Sequence, residues 1–577
     1  MDLAAVLRDC RYVGKRLAIL LAAALTLVVL VTYIGMIHNG VVWDDPWLTT
    51  KNPYVQSLRG LPTLFAKDTW TGTAAGEASD LYRPMMMASF LANRILFGNT
   101  AVSYHAGNLL LHLGASLLFF RLLCVLLRGG ERPWLPWIVA LFFAVAPLSS
   151  EPAIWISGRD NSLGAIFALA ALLANRHESP RMHVATLAMV GLALLTKESF
   201  VTLPILLLAQ DILVQRKPLK GEWRKALELL AILALFFLAR FAVGVPSASL
   251  VAGKVTAILA SFLYLAATYA ARAVVPRDLE AFRPYVPLPV PVSIAVGIGI
   301  VAASAILFLA CRRDTAARRP RLAAFGWIWF LAALAPSSLT GPYLGLVGDR
   351  YAYFPLMGLC LVLAAGLDAL RERSARWPRS VPVGVSCVLL AGIAACARTS
   401  HQRVGEWRDE DTLFRATLAR EPDNYYALYS LGARAAQDRH WDEARGLLDR
   451  SLALEPRSFR THDALCFLDL NVGRLREAEA ECKESLSLHA GNPRAWVNLA
   501  STYLRARAWP VCIEAATHAV EVKPHYAEAH YVRAVCLANA GRIPEAIDEN
   551  RAALGIDPAH SGALSLAGQM RSRGIAP

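Results

Sequence analysis

Leu17 to Ile37, LAILLAAALTLVVLVTYIGMI, is a run of 21 residues without a charge, and its reading decides what kind of protein this is. As a helix rising 1.5 Å per residue, a run of that length crosses the roughly 30 Å hydrocarbon core of a bilayer. Arg8, Arg11, Lys15 and Arg16 stand ahead of it, as in a signal peptide. The run is long for one and no small-residue cleavage site follows, so an uncleaved anchor is expected. Directly beyond comes Val41-Val42-Trp43-Asp44-Asp45-Pro46, with two adjacent carboxylates at the membrane surface. Carboxylates are costly in hydrocarbon and often functional at its edge, the plain alternative being a polar turn that ends the anchor.

Outward from this stretch the same pattern recurs. The 577-residue chain is 55% hydrophobic with mean hydropathy +0.39, and the hydrophobicity is segregated. To about Ala397 long apolar runs alternate with short basic loops; from Arg398 the chain is polar and helical in pattern. Eleven crossings are expected, at 17–37, 101–127, 134–148, 152–175, 182–196, 198–214, 226–244, 289–310, 322–339, 351–370 and 381–397. With the N-terminus in the cytoplasm, the inner loops hold 22 Lys plus Arg in 60 residues and the outer ones 12 in 132. That bias supports the orientation. Val255 to Ala271 is apolar enough to cross, but counting it would place the Arg-rich 311–321 loop outside. A re-entrant or interfacial helix is expected there. Asp44 and the chain beyond 397 then emerge together on the outer, periplasmic or lumenal, side, a bacterial inner membrane being favoured over the endoplasmic reticulum.

The net charge of +14 belongs largely to the loops, with no basic stripe interleaved with aromatics, which argues against nucleic acid. The ten cysteines form no CxxC pair and read as small buried residues.

Further polar motifs fall on the side of Asp44. The outer segment 38–100 is long for a connector. It contains Tyr82-Arg83-Pro84 and then Met85 to Phe97, apolar but too short to span, so expected along the interface. His105, Asn108 and His112 share one helical face, where helix–helix hydrogen bonding is the plain reading. Glu151, Arg159 and Asp160 return to the same face, as do Lys197-Glu198, between two apolar runs, and Gly348-Asp349-Arg350-Tyr351. A lone intramembrane ion pair is usually structural; so many charges on one face point to a site.

Beyond Arg398 the chain repeats every 34 residues. Gly432, Cys466, Ala500 and Ala534 form one register of small residues; Ala444, Ala478, Cys512 and Ala546 form another, and Pro456, Pro524 and Pro558 mark the ends. Small residues let two helices cross closely and Pro ends the second, which resembles the tetratricopeptide repeat. Units begin near 425, 459, 493 and 527, after a connecting half repeat at 398–424. Such repeats stack into a solenoid with a concave groove for a polypeptide. The fold class is therefore all-α, a membrane domain at 1–397 followed by a repeat solenoid at 425–577.

Trp43-Asp44-Asp45, Tyr82-Arg83-Pro84, His105-x-x-Asn108-x-x-x-His112, Glu151 with Gly158-Arg159, Lys197-Glu198 and Arg350-Tyr351-x-Tyr353-x-Pro355, followed by the repeats, come in a telling order. It resembles the transmembrane and tetratricopeptide repeat-containing (TMTC) proteins, protein O-mannosyltransferases of the GT-C class related distantly to the PMT mannosyltransferases. The resemblance implies transfer of a hexose such as mannose from a polyprenyl- or dolichyl-phosphate donor to Ser or Thr of an acceptor polypeptide held by the groove. Asp44 or Asp45 would be the base. Arg350, Arg83, Arg159 and Lys197 would meet the phosphate, with Glu151, Asp160, Glu198, Tyr82 and His105 around donor and cations. No cofactor is required; a divalent metal is admissible where carboxylates meet phosphate. The rival reading is a non-catalytic membrane scaffold whose repeats recruit envelope proteins.

Overall fold

The long apolar runs become helices because, in hydrocarbon, only a backbone that satisfies its own N–H and C=O groups is cheap to bury. The computed structural model describes residues 15–71, 73, 81–127, 134–245, 255–277, 279–314, 317–339, 346–374, 380–572 and 574. Arg8, Cys10 and Arg11 lie outside them. Two compact units are present: Met1–Trp43 with Tyr82–Asp409, and Asp44–Leu81 with Glu410–Pro577.

Among the described residues of the first unit, seven helices are long and apolar enough to cross a membrane: Arg16–His38, Ala101–Leu126, Val255–Val274, Val290–Arg313, Arg318–Leu339, Asp349–Arg373 and Val383–Glu406. A bent pair, Trp134–Val145 and Pro147–Ile154 at 59°, makes an eighth if counted as one span. The chain is a multi-pass membrane protein. Several of the eleven expected spans are shorter or interrupted. Pro180–Thr196 has 17 residues. Residues 198–214 divide into a 3-10 turn at Glu198–Thr202, a short α-helix at Leu203–Ala209, and a π-turn at Gln210–Val214. Val255–Val274 is one continuous 20-residue helix.

The bend at Pro147 frees backbone carbonyls inside the bundle, and side chains from three other helices collect them. His112 Nε2 reaches Ala144 O at 2.9 Å, Tyr33 donates to the same oxygen at 3.2 Å, and Ser400 donates to Val145 O at 2.8 Å. With Nε2 donating, His112 Nδ1 accepts from the Tyr353 hydroxyl at 2.9 Å. His112 is thus the hydrogen-bonded bundle histidine expected of it. A two-residue antiparallel pair, Arg283–Pro284 with Leu346–Val347, ties the segment after Val274 to the approach to Arg350.

In the second unit, helix pairs repeat from Tyr425–Gln437 with Trp441–Leu454 to Ala527–Asn539 with Ile543–Ile556, and Ser561–Ser572 follows. Asn424, Ser458 and Asn492 cap successive first helices through their side chains, 34 residues apart. The turn inside each pair needs a left-handed residue, supplied by Arg439, Gly473, Arg507 and Gly541 at φ between 59° and 87°. At Gly432 a Cβ would meet Leu448 at 2.8 Å, so the first crossing has room only for glycine.

Four cysteines are not merely small packing residues. Cys466 is bonded to Cys482 across one helix pair, and Cys512 to Cys536 between neighbouring pairs, with Cα separations of 5.2 and 5.9 Å. The slots at 466 and 512 admit a small side chain, and each also faces a second thiol at bridging distance, which a one-dimensional repeat register does not reveal.

Candidate functional site

Within the first unit, the charged motifs gather into two networks. Pro84 opens the helix Pro84–Phe97 and leaves Arg83 just outside it. Arg83 binds Glu198 through Nε (2.9 Å) and Nη2, and Asp160 through Nη1 (2.7 Å). Lys197 sits where the helix Pro180–Thr196 gives way to extended backbone, and its Nζ donates to Asn161 Oδ1 at 2.8 Å beside Asp160 Oδ2 at 3.2 Å. Burial pulls the Lys197 ammonium below its usual range, and Asp160 opposes the shift.

Arg159 stands apart. Its Nε donates to Asn108, Nη1 to Ser89 O, and Nη2 to Asn93 and Tyr104 O, while Phe90 stacks on the guanidinium at 4.4 Å. Fully enclosed, it fastens three helices together.

The second network centres on Arg350. Its Nη1 donates to Glu151 Oε1 and to Ala281 O, both at 2.8 Å, and its backbone N–H meets Glu151 Oε2 at 3.2 Å. Trp155 and Phe282 each lie 5.4 Å from the guanidinium carbon, and Tyr351 at 4.9 Å. Trp43 packs against both Trp155 and Phe282, at 5.3 and 4.4 Å between ring centres. Among the described residues, no carbonyl or carboxylate accepts from Nη2 or Nε of Arg350, and the Tyr351 phenol is a further hydrogen-bond partner of this side chain.

Sequence reasoning named Glu151 and Asp349 but not Tyr269, Arg272, Glu280 or Ala281, which shape the surroundings of this arginine. Asp349, fully buried, accepts from Arg272 (2.7 Å) and from the backbone N–H of Glu280 (2.7 Å), with Arg403 at 3.8 Å. Tyr269 donates to Gly348 O at 2.6 Å. The segment around Ala281 and Phe282 thus becomes a wall of the Arg350 pocket. Asp349 was legible beside Arg350; Ala281 acts through its backbone and leaves no side-chain signal.

Tyr82 is buried with its ring near Phe236, and His105 Nε2 lies 3.1 Å from Gly40 O. Asp44 and Asp45 belong to the second unit. Asp44 caps the short turn Asp45–Leu48 with its carbonyl and is half-buried; Asp45 is 1% exposed, and its carbonyl accepts the Thr49 hydroxyl. Trp43, one residue earlier, holds a left-handed backbone at φ 56°, unusual for a bulky residue and often met at functional positions. No group of three or more His, Cys, Asp or Glu arranged to hold a metal occurs among the described residues.

The tetratricopeptide repeat family model matches residues 399–459 and 512–561. The chain is similar to protein O-mannosyl-transferases of the TMTC type. It is 23% identical to mouse TMTC3 over 508 residues, covering 80% of this chain and 54% of that protein. It is 24% identical to F38B6.6 of Caenorhabditis elegans (70% and 58%) and 26% identical to mouse TMTC4 (68% and 61%). The chain therefore spans a little over half the length of these curated relatives. Among solved structures, MamA matches at 18% identity and a TM-score of 0.24, over 26% of this chain and 86% of that one.

Proposed function

We propose that this TMTC-like chain is an integral membrane glycosyltransferase that moves a hexose from a polyprenyl-phosphate carrier to Ser or Thr hydroxyls on the outer face. In the reaction the bond between the sugar's anomeric carbon and the carrier phosphate breaks while a bond to the acceptor oxygen forms. The hydroxyl proton passes to a carboxylate, Asp44 or Asp45, and the phosphate leaves with its added negative charge. The observation that carries this reading is Arg350: a guanidinium braced by Glu151 and flanked by Trp155 and Phe282, with the planar fork that suits phosphate contact. Lys197 adds a second buried cation, while Arg83, Asp160 and Glu198 hold it in register.

Two further observations support the arrangement. Disulfides persist in oxidising compartments, so the two bridges favour an outer, non-cytoplasmic home for the repeats. The repeats also carry a cavity of about 490 Å³ lined by Phe467, Leu470, Asn498, Arg505 and Tyr531, of a size and mixed polarity to take an extended segment of an acceptor.

The test is sugar transfer from a polyprenyl-phosphate-linked mannose by the full chain and by its Asp44→Asn and Asp45→Asn variants. One of the two should lose about 10²–10⁴ of the rate, the usual worth of a general base. Full activity in both removes the proposed base.

A further inference from the structure

The two cationic networks meet at one side chain that neither uses up. Tyr351 follows Arg350 in the turn Asp349–Ala352, its ring centre 4.9 Å from the Arg350 guanidinium carbon and 5.9 Å from Lys197 Nζ. The phenol makes hydrogen-bond contact with the Arg350 side chain and lies within electrostatic reach of Arg83 and Lys197.

Neighbouring tyrosines give a contrast. Tyr353 spends its hydroxyl proton on His112 and Tyr269 on Gly348 O, and both are buried. Tyr351 is half-buried, and no carbonyl or carboxylate among the described residues accepts its hydroxyl proton. A ring that merely separated two cations would need no hydroxyl. An O–H donor lodged between an arginine edge and an ammonium suits an anion with several acceptor oxygens, as a phosphate monoester or diester has.

We propose that Tyr351 donates its hydroxyl hydrogen bond to the phosphate of the lipid-linked sugar, completing an anion seat with Arg350 and Lys197. The proposal rests on reading that pair as the phosphate grip. Replacing Tyr351 with Phe keeps the ring between the cations and removes only the donor. A hydrogen bond to a charged group lost in this way lowers affinity about ten- to a hundredfold.

The experiment is binding of polyprenyl phosphate, polyprenol and inorganic phosphate to the full chain in lipid nanodiscs, with thermal melting to confirm folding. The wild-type protein should prefer polyprenyl phosphate to polyprenol. Tyr351→Phe should weaken polyprenyl phosphate by tenfold or more, leave polyprenol unchanged and melt normally. Equal binding of polyprenyl phosphate by wild type and Tyr351→Phe, with the preference over polyprenol intact, overturns the role of Tyr351 alone. A wild-type protein that does not distinguish phosphate from alcohol overturns the cationic grip and this inference with it. Inorganic phosphate bound as tightly as the lipid makes the seat one for free phosphate and overturns the lipid assignment.

Discussion

Arg159 commits its donors to four acceptors of the bundle, whereas Arg350 is the guanidinium we propose for the phosphate. Arg159→Met would leave Asn108 Oδ1, Ser89 O, Asn93 Oδ1 and Tyr104 O buried without their donor. That loss should destabilise the membrane unit by on the order of 3 kcal/mol, read as a lowered melting midpoint. Arg350→Lys keeps the charge but loses the planar fork and the stacking on Trp155 and Phe282. Its melting should stay near wild type while KM for the lipid donor rises about tenfold, the equivalent of ~1.4 kcal/mol. The sequence placed both arginines on one membrane face, and the first unit does bring Arg83, Asp160, Lys197 and Glu198 into a single network. What no spacing could convey is how many donors each arginine has already committed, because Asn93, Tyr104 and Ala281 come from distant segments and act partly through backbone carbonyls.

Among the elements, the repeat helices were the most legible, since a 34-residue period fixes caps, turns and crossings together. The segment from 245 to 288 was the least legible. Its strand is two residues long, and its helix looks equally suited to crossing or lying flat. The repeats also carry a paired device. His462 Nδ1 meets Glu481 Oε2 at 2.6 Å and its Nε2 meets Pro456 O at 3.1 Å; His530 does the same with Glu549 at 2.7 Å and Pro524 O at 3.0 Å. In the intervening repeat the Trp496 indole N–H takes the corresponding carbonyl, Ala490 O. Burial alone would lower both histidines, but the carboxylate and carbonyl facing the two ring nitrogens raise them overall. A folded-state pKa above the unfolded value of about 6.5 stabilises the array fully below that pH, and the contribution fades as pH rises through the folded value. The melting midpoint of the array should thus be higher at pH 6 than at pH 8.5, and a His462→Gln, His530→Gln double variant should narrow the gap.

At the scale of the whole molecule, the chain leaves the membrane unit after Trp43, contributes Asp44–Leu81 to the other unit, and returns at Tyr82. Hydropathy marks the return only weakly, because the short turns of 44–66 have no periodic face. Closing loops with sequence separations of 16 and 24 residues restricts the unfolded chain by about 3 kcal/mol per bridge in the loop-entropy picture. Reduction should therefore lower the midpoint of the repeats by several degrees while leaving the membrane unit unaffected. Thiol alkylation of the protein in intact cells should spare Cys466, Cys482, Cys512 and Cys536 until a reductant is added. The bridges also have an order, since each cysteine is joined to the next one of the four and the two loops do not interleave. Four thiols can be joined in three ways. If the array is threaded N-terminus first and oxidised as it emerges, each cysteine meets its own partner before the next pair appears, and an oxidant without an isomerase should suffice for its maturation.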